Sequence, residues 1–156
     1  MATLNVAKIV SGGQTGVDRA ALDAALALGL AHGGWCPRGR LAEDGRIPDR
    51  YQLQETDSAD YPSRTQQNVI DSDATLILHR GPLRGGTELT YQLALRHRKP
   101  CLTGYLDAPV PPEAVRLWLR ECGVSVLNVA GPRESQSPGI GTGHSLSIFR
   151  RAESAW

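Results

Sequence analysis

Short apolar runs bounded by glycine or proline alternate along this chain with segments whose apolar residues recur at helical spacing. That alternation admits few architectures. A strand that is apolar along its whole length must be covered on both faces, and a chain does this by returning through a helix after each strand. The clearest such run is ATLILH, residues 74–79. NVAKIVSG (5–12) reads as the first strand, HGGWCP (32–37) as a short second and YQLQET (51–56) as a third, with PCLTGY (100–105) and VSVLNVA (124–130) following. Helices are predicted over 17–30, 62–72, 87–99 and 111–122. In the first, Val17, Ala20, Ala21, Ala24, Ala25 and Leu28 share a face, and Gly29 is the expected stop. The second opens with a proline, and the third closes with basic residues, as the helix dipole prefers. The expected fold is therefore α/β, a Rossmann-like doubly wound, mainly parallel sheet of five to six strands with helices on both faces. A single domain over 1–156 is expected. Residues 38–50 read as a polar, irregular stretch, and 131–152 as a loop ending in a helix.

Composition excludes several classes of function. The net charge is +1, which gives no general reason to expect nucleic acid as partner, so an anion site would have to come from local geometry. Three cysteines without a C-x-x-C pair argue against a disulfide framework and a structural zinc site, and suit a reducing, cytoplasmic location. Neither export nor a membrane partner is expected, because no apolar run approaches ~18 residues. His32, His79, His97 and His144 have no metal-ligand spacing, so no metal is expected. G-x-S-x-G does not occur.

Two glycine-rich turns stand where a strand passes into a helix. The first, SGGQTGVD, is not a P-loop, since no Lys-Ser or Lys-Thr follows Gly16, and its glycines do not match the dinucleotide fingerprint. Thr15 and Asp18 form a T-x-x-D pair. They either cap the helix reciprocally, or leave Asp18 to accept from a ligand while Gly12, Gly13, Gln14, Thr15 and Gly16 hold an anion. The second turn carries Arg84, Gly85, Gly86 and Thr87. The common 3-2-1-4 strand order sets ATLILH beside the first strand, so both turns are expected to open onto one crevice at the carboxyl ends of the strands. Arg84 adds a charge-assisted bond there.

The blocks SGGQTGVDRAALD, GWCPRGRLAEDGRIPDRYQLQE, YPSRTQQNVIDSDATLIL, GGTELT and NVAGPRESQSPGI together resemble the putative molybdenum carrier family. That family lies within a Rossmann-like superfamily that includes the Lonely Guy phosphoribohydrolases and DprA. The resemblance covers roughly residues 6 to 140. It implies a homo-oligomer and a groove for a phosphorylated small-molecule ligand, such as the molybdenum cofactor, a pterin with a terminal phosphate. Carried over residue by residue, it marks the first turn (Gly12, Gly13, Gln14, Thr15, Gly16, Asp18) and the second (Gly85, Gly86, Thr87) as ligand contacts, then CPRGRLAEDG and SRTQQN.

The leading expectation is a small cytosolic binding or carrier protein, without a catalytic nucleophile, holding a pterin or nucleotide phosphate between the two turns. A rival comes from the Lonely Guy motif P-G-G-x-G-T-x-x-E. Here RGGTELT places Glu88 directly after Thr87 rather than three residues beyond it. In a phosphoribohydrolase cleaving the N-glycosidic bond of a nucleoside monophosphate, Glu88 would be the acid group, with Arg64 or Arg38 on the phosphate. A non-catalytic interaction module is the third alternative. Arg38 and Arg40 are placed either at the rim of the crevice or in solvent. Glu43, Asp44 and Asp49 make 38–50 a candidate lid closed by ion pairs. Arg64 and Asn68 share a helix face aimed either at a ligand or at water. Trp35 is read as packing or a stacking platform, and Arg133 as within reach of the crevice or on a surface turn.

Overall fold

The computed structural model describes residues 6–108 and 110–142. The elements run β1 Lys8–Val10, α1 Val17–Leu28, β2 Ala31–Gly33, β3 Trp35–Cys36, β4 Leu41–Ala42, β5 Gly45–Arg46, β6 Gln54–Glu55, α2 Tyr61–Ile70, β7 Ala74–His79, α3 Gly85–Arg96, β8 Cys101–Tyr105, α4 Pro112–Glu121 and β9 Val126–Ala130. The helix expected at the end of the chain lies outside the described residues.

Five strands form one sheet in the order β2-β1-β9-β7-β8, every pair parallel. This is the Rossmann-like α/β fold expected. It is also the doubly wound order 3-2-1-4-5 once β9 is counted first and β1 second, with β2, β7 and β8 following. The strand that would open such a fold here comes last.

That placement corrects the expectation that residues 74–79 lie directly beside the first strand. β9 stands between them, with Ile9 opposite Leu127 on one edge and Leu76 opposite Val129 on the other. Leu127, Asn128 and Val129 are all buried. A fully apolar run reads the same from sequence whichever interior position it takes, so chain order alone misplaces it.

Two further expectations are corrected around residues 32–56. The second strand splits at Gly34, whose φ of 127° is a conformation that L side chains rarely adopt. A Cβ there would stand 2.2 Å from the Ser11 carbonyl oxygen. The chain leaves the main sheet at this point, and Trp35 pairs opposite Gln54 in a separate two-stranded sheet, β3 with β6. The predicted third strand therefore never joins the large sheet. Tyr51 is instead fully buried with Leu22, Cys36 and Ile47. Residues 38–50 are not structureless either, because β4 and β5 form an antiparallel hairpin with Ala42 opposite Gly45. Asp44-Gly45 is a common hairpin-turn signal.

The main core lies between the sheet and one helical layer. Leu76 and Leu78 of β7 and Leu127 and Val129 of β9 pack with Ala21 and Ala24 of α1 and with Val115 and Leu119 of α4. The small side chains of α1 allow close approach, as their spacing implied. Val69 of α2 packs with Leu93 and Ala94 of α3 in a second cluster. Helix ends follow local chemistry: Asp60 caps α2 by accepting from the Ser63 amide at 2.8 Å, and α1 stops at Gly29. α3 starts at Gly85, ahead of the expected residue 87. Among the described residues no helix is long and apolar enough to cross a membrane.

Leu127→Ala should destabilise the fold by about 2–5 kcal/mol, because it empties a fully buried site on the central strand. Urea unfolding of the two proteins, compared by midpoint at constant slope, measures this.

Candidate functional site

The first glycine turn is built around a carboxylate of the protein itself. Asp18, in the first turn of α1, is 5% exposed, and its Oδ2 accepts from the Gln14 amide at 3.2 Å and from Arg64 Nη1 at 3.1 Å. Burial pushes the Asp18 carboxyl above its usual range, against the Arg64 charge and the amides of Gln14 and Gly12, which pull it down. Arg64 reaches this position from α2 by lying directly over Gly12, where a Cβ would fall 1.6 Å from Nη1. Other groups of the turn are also engaged internally. Gln14 Oε1 accepts from the Thr15 and Glu43 amides, and the Val17 amide donates to the Pro132 carbonyl. Gly13 packs on Ile47 and Leu53, and Gly16 lies beneath Pro132. The reciprocal cap of Thr15 and Asp18 does not form: Asp18 reaches back to Gln14, while Thr15 turns away to Glu43 and the Glu134 amide.

Beside this turn a cavity of about 260 Å³ opens at the carboxyl ends of the strands. Gln14 and Asp18 form one wall, and Gly85, Gly86 and Thr87 form another. The two glycine turns thus border one space, although β9 separates their strands. Arg64 and Arg133 bring positive charge to it, with guanidinium carbons 5.5 and 5.9 Å from the Tyr61 ring centre. Arg64 Nε is buried without a hydrogen-bond partner. Gly85 and Gly86 open α3, so their amides precede any carbonyl the helix could offer, and no side chain caps that end. The turns therefore differ: the first already holds a carboxylate, and the second does not. A further cavity of about 310 Å³ lies on the other side of Thr87 and Gln136, against Arg80 and Arg84.

The loop after β9 supplies Arg133 and Gln136, and the tip of the β4–β5 hairpin holds it in place. Glu43 accepts from the Thr15 hydroxyl and from both the amide and the hydroxyl of Ser135, with Arg133 Nε 4.0 Å away. Burial works to raise its pKa, but the Ser135 and Thr15 hydrogen bonds and the Arg133 charge outweigh it and hold the carboxyl below its ordinary value. Asp44 is held low by Arg19, and Arg46 pairs with Asp49. The 38–50 segment is thus fastened partly by its own ion pair and partly to α1 and the 133–135 loop.

Other predicted residues lie elsewhere. Arg38 is exposed and borders neither cavity. Arg40 is buried and donates to the carbonyls of Ile47, Pro48, Tyr51 and Leu53, a structural role. Asn68 faces neither ligand nor water, but bonds the backbone of Trp35 through both amide atoms. Trp35 donates its indole N–H to Asp71 at 2.7 Å. Glu88 is exposed and absent from the walls of both cavities. Tyr61 and Gln136 were missed by the sequence reading. Only their positions, beside a helix-opening proline and within the PRESQS run, could have marked them. Among the described residues no group of three or more His, Cys, Asp or Glu is placed to hold a metal ion.

Fold and strand order define a Rossmann-like protein whose first strand has moved to the end of the chain. The chain belongs to the circularly permutated YpsA SLOG family, which it matches over residues 9–149. It is also similar to the crystal structure of a "Putative molybdenum carrier protein" from Syntrophus aciditrophicus SB, at 45% identity over 96% of this chain and 95% of that one, with a TM-score of 0.88. No curated protein matches it.

Removing Arg64 leaves a buried carboxylate without its cation, so Arg64→Ala should cost about 3–5 kcal/mol. Adding Asp18→Asn should restore part of that loss, a non-additivity that a double-mutant cycle in urea reads directly. Glu43 gives a pH signature. A carboxyl held below its ordinary 4.5 adds stability above that value and forfeits it as pH falls through the lower folded value. The stability gap between wild type and Glu43→Gln should therefore shrink on acidification from neutral pH towards about pH 3.

Proposed function

We propose that this protein binds a phosphorylated small molecule in the cavity between α2, α3 and the loop after β9, as a carrier-type protein rather than an enzyme. One observation carries the reading. Arg64, whose buried Nε has no partner, and the half-exposed Arg133 flank a space that the uncapped first turn of α3 also faces. Helix-opening amides and guanidinium groups are both matched to phosphate oxygens. The phosphate would sit against Gly85 and Gly86, with Arg64 and Arg133 neutralising its charge. Gln14, Asp18 and Thr87 would shape the walls, while Gly12, Gly13, Thr15 and Gly16 act indirectly by seating Arg64 and closing the turn.

The residues present fit a pterin phosphate such as the molybdenum cofactor, and the Syntrophus protein is named a molybdenum carrier. Tyr61 and Leu89 give the cavity a flat, apolar side for a ring, and Gln14 and Gln136 give it amide groups for a hydrogen-bonding edge. A nucleotide offers the same two parts. Binding needs no nucleophile. Among the described residues the only carboxylate on the cavity wall is Asp18, which is committed to Arg64, so the phosphoribohydrolase reading lacks a free acid group there.

Arg133 lends itself to the test, since among the described residues its only ion-pair contact, with Glu43, is 4.0 Å long. Thermal melts with AMP and with a phosphorylated pterin should show a raised Tm, by about 2.7 kcal/mol of added stability at a hundredfold excess over Kd. Arg133→Ala should fold normally and bind about tenfold more weakly, the loss of one charge-assisted hydrogen bond. If phosphorylated probes leave the melting temperature unmoved, the reading is wrong.

A further inference from the structure

We infer that the ligand carries two linked phosphoryl groups, the second lying in the cavity between the β7–α3 loop and the loop after β9. This rests on the reading above and extends it from a phosphate to a diphosphate class.

The two cavities are neighbours with common walls, Thr87 and Gln136. The atom closest to where a Gly85 Cβ would stand is Gln136 Nε2, at 3.5 Å, and a Cβ at Gly86 would meet nothing within 4 Å. The Gln136 side chain thus stands at the boundary of the two spaces, beside the start of α3. Size points the same way. The first cavity, at about 260 Å³, falls just short of the ~300–1,000 Å³ typical of small-molecule sites, and the second adds about 310 Å³.

Charge decides what the second space would hold. Arg80 and Arg84 border it, and among the described residues no Asp or Glu does. The Arg84 carbonyl accepts from the Thr87 and Glu88 amides, while its side chain makes no hydrogen bond or ion pair among the described residues. Among the described residues Arg80 pairs with Asp107 at 3.6 Å, a contact whose carboxylate is exposed and which contributes little. His79 also lines this space and holds the Gly81 carbonyl through Nδ1, 2.9 Å away. With Arg64 and Arg133 across the shared wall, four arginines stand along one rim of a chain whose net charge is only +1. A single phosphate engages one pair of them. Two linked phosphates engage both pairs and straddle the first turn of α3.

The source of the diphosphate, inorganic or nucleotide-borne, is separated by the probes. Isothermal titration of the full chain at constant ionic strength, with phosphate, pyrophosphate, AMP and ADP, should show each diphosphate binding about tenfold or more tightly than its monophosphate. A gain for pyrophosphate alone assigns a free diphosphate, and a gain for ADP assigns a nucleotide. Arg84→Ala should erase the diphosphate advantage, and Arg80→Ala should reduce it. Equal affinities for mono- and diphosphates, or an advantage that survives Arg84→Ala, overturn this inference while leaving the phosphate site intact. If none of the four probes binds, the site reading itself fails.

Discussion

The contact between Asp18 and Arg64 organises the end of this molecule at which the cavity opens. It joins the first turn of α1 to α2 across the first glycine turn, and both partners are largely withdrawn from water. Two buried charges are costly unless each satisfies the other, so the surrounding backbone is shaped to let them meet. Gly12 is the clearest sign, since any side chain there would occupy the guanidinium's place. The same contact gives the first turn its character. Its geometry suits an anion, and the anion it holds is the carboxylate of Asp18.

Only the second turn has helix-opening amides with no such internal partner. Arg64 connects the two, because one of its nitrogens is spent on Asp18 and another is left without a partner near the cavity. A cation half-used by structure is positioned without being fully neutralised. Glu43 plays the corresponding part for the opposite wall, gathering Thr15 and Ser135 so that Arg133 and Gln136 lie over the cavity.

Periodicity made most of the sheet legible. The run at 74–79 could be nothing but a buried strand, and the alanine face of 17–28 packs as its spacing required. What escaped the reading was set by contacts between distant residues. Nothing within NVAGP says that its strand enters the middle of the sheet, and nothing within YQLQET says that Tyr51 fills a side core instead of extending a ladder. Of the first turn only Gln14 and Asp18 reach the cavity that Gly85, Gly86 and Thr87 border, while its glycines lie beneath neighbouring residues. That inequality was hidden, because Asp18 looks alike in sequence whether it faces a ligand or a neighbouring arginine. Glu43 was visible only as part of a mixed-charge loop, since its partners lie 28 and 92 residues away.

The position of β9 explains why these parts converge. β1 and β7 do not touch as neighbours in the sheet, so the half holding β2 and β1 joins the half holding β7 and β8 only through β9. The loop leaving β9 must then emerge between the loops leaving β1 and β7, which are the two glycine turns. Arg133 and Gln136 therefore fall between them by topology, and the close approach of Gly131 to the Leu78 carbonyl fixes how tightly that loop is drawn in. In the unpermuted order the opening strand of the chain would supply this loop. Here the sheet and the cavity are completed by the same late segment, so pairing of β9 both closes the core and assembles the cationic rim.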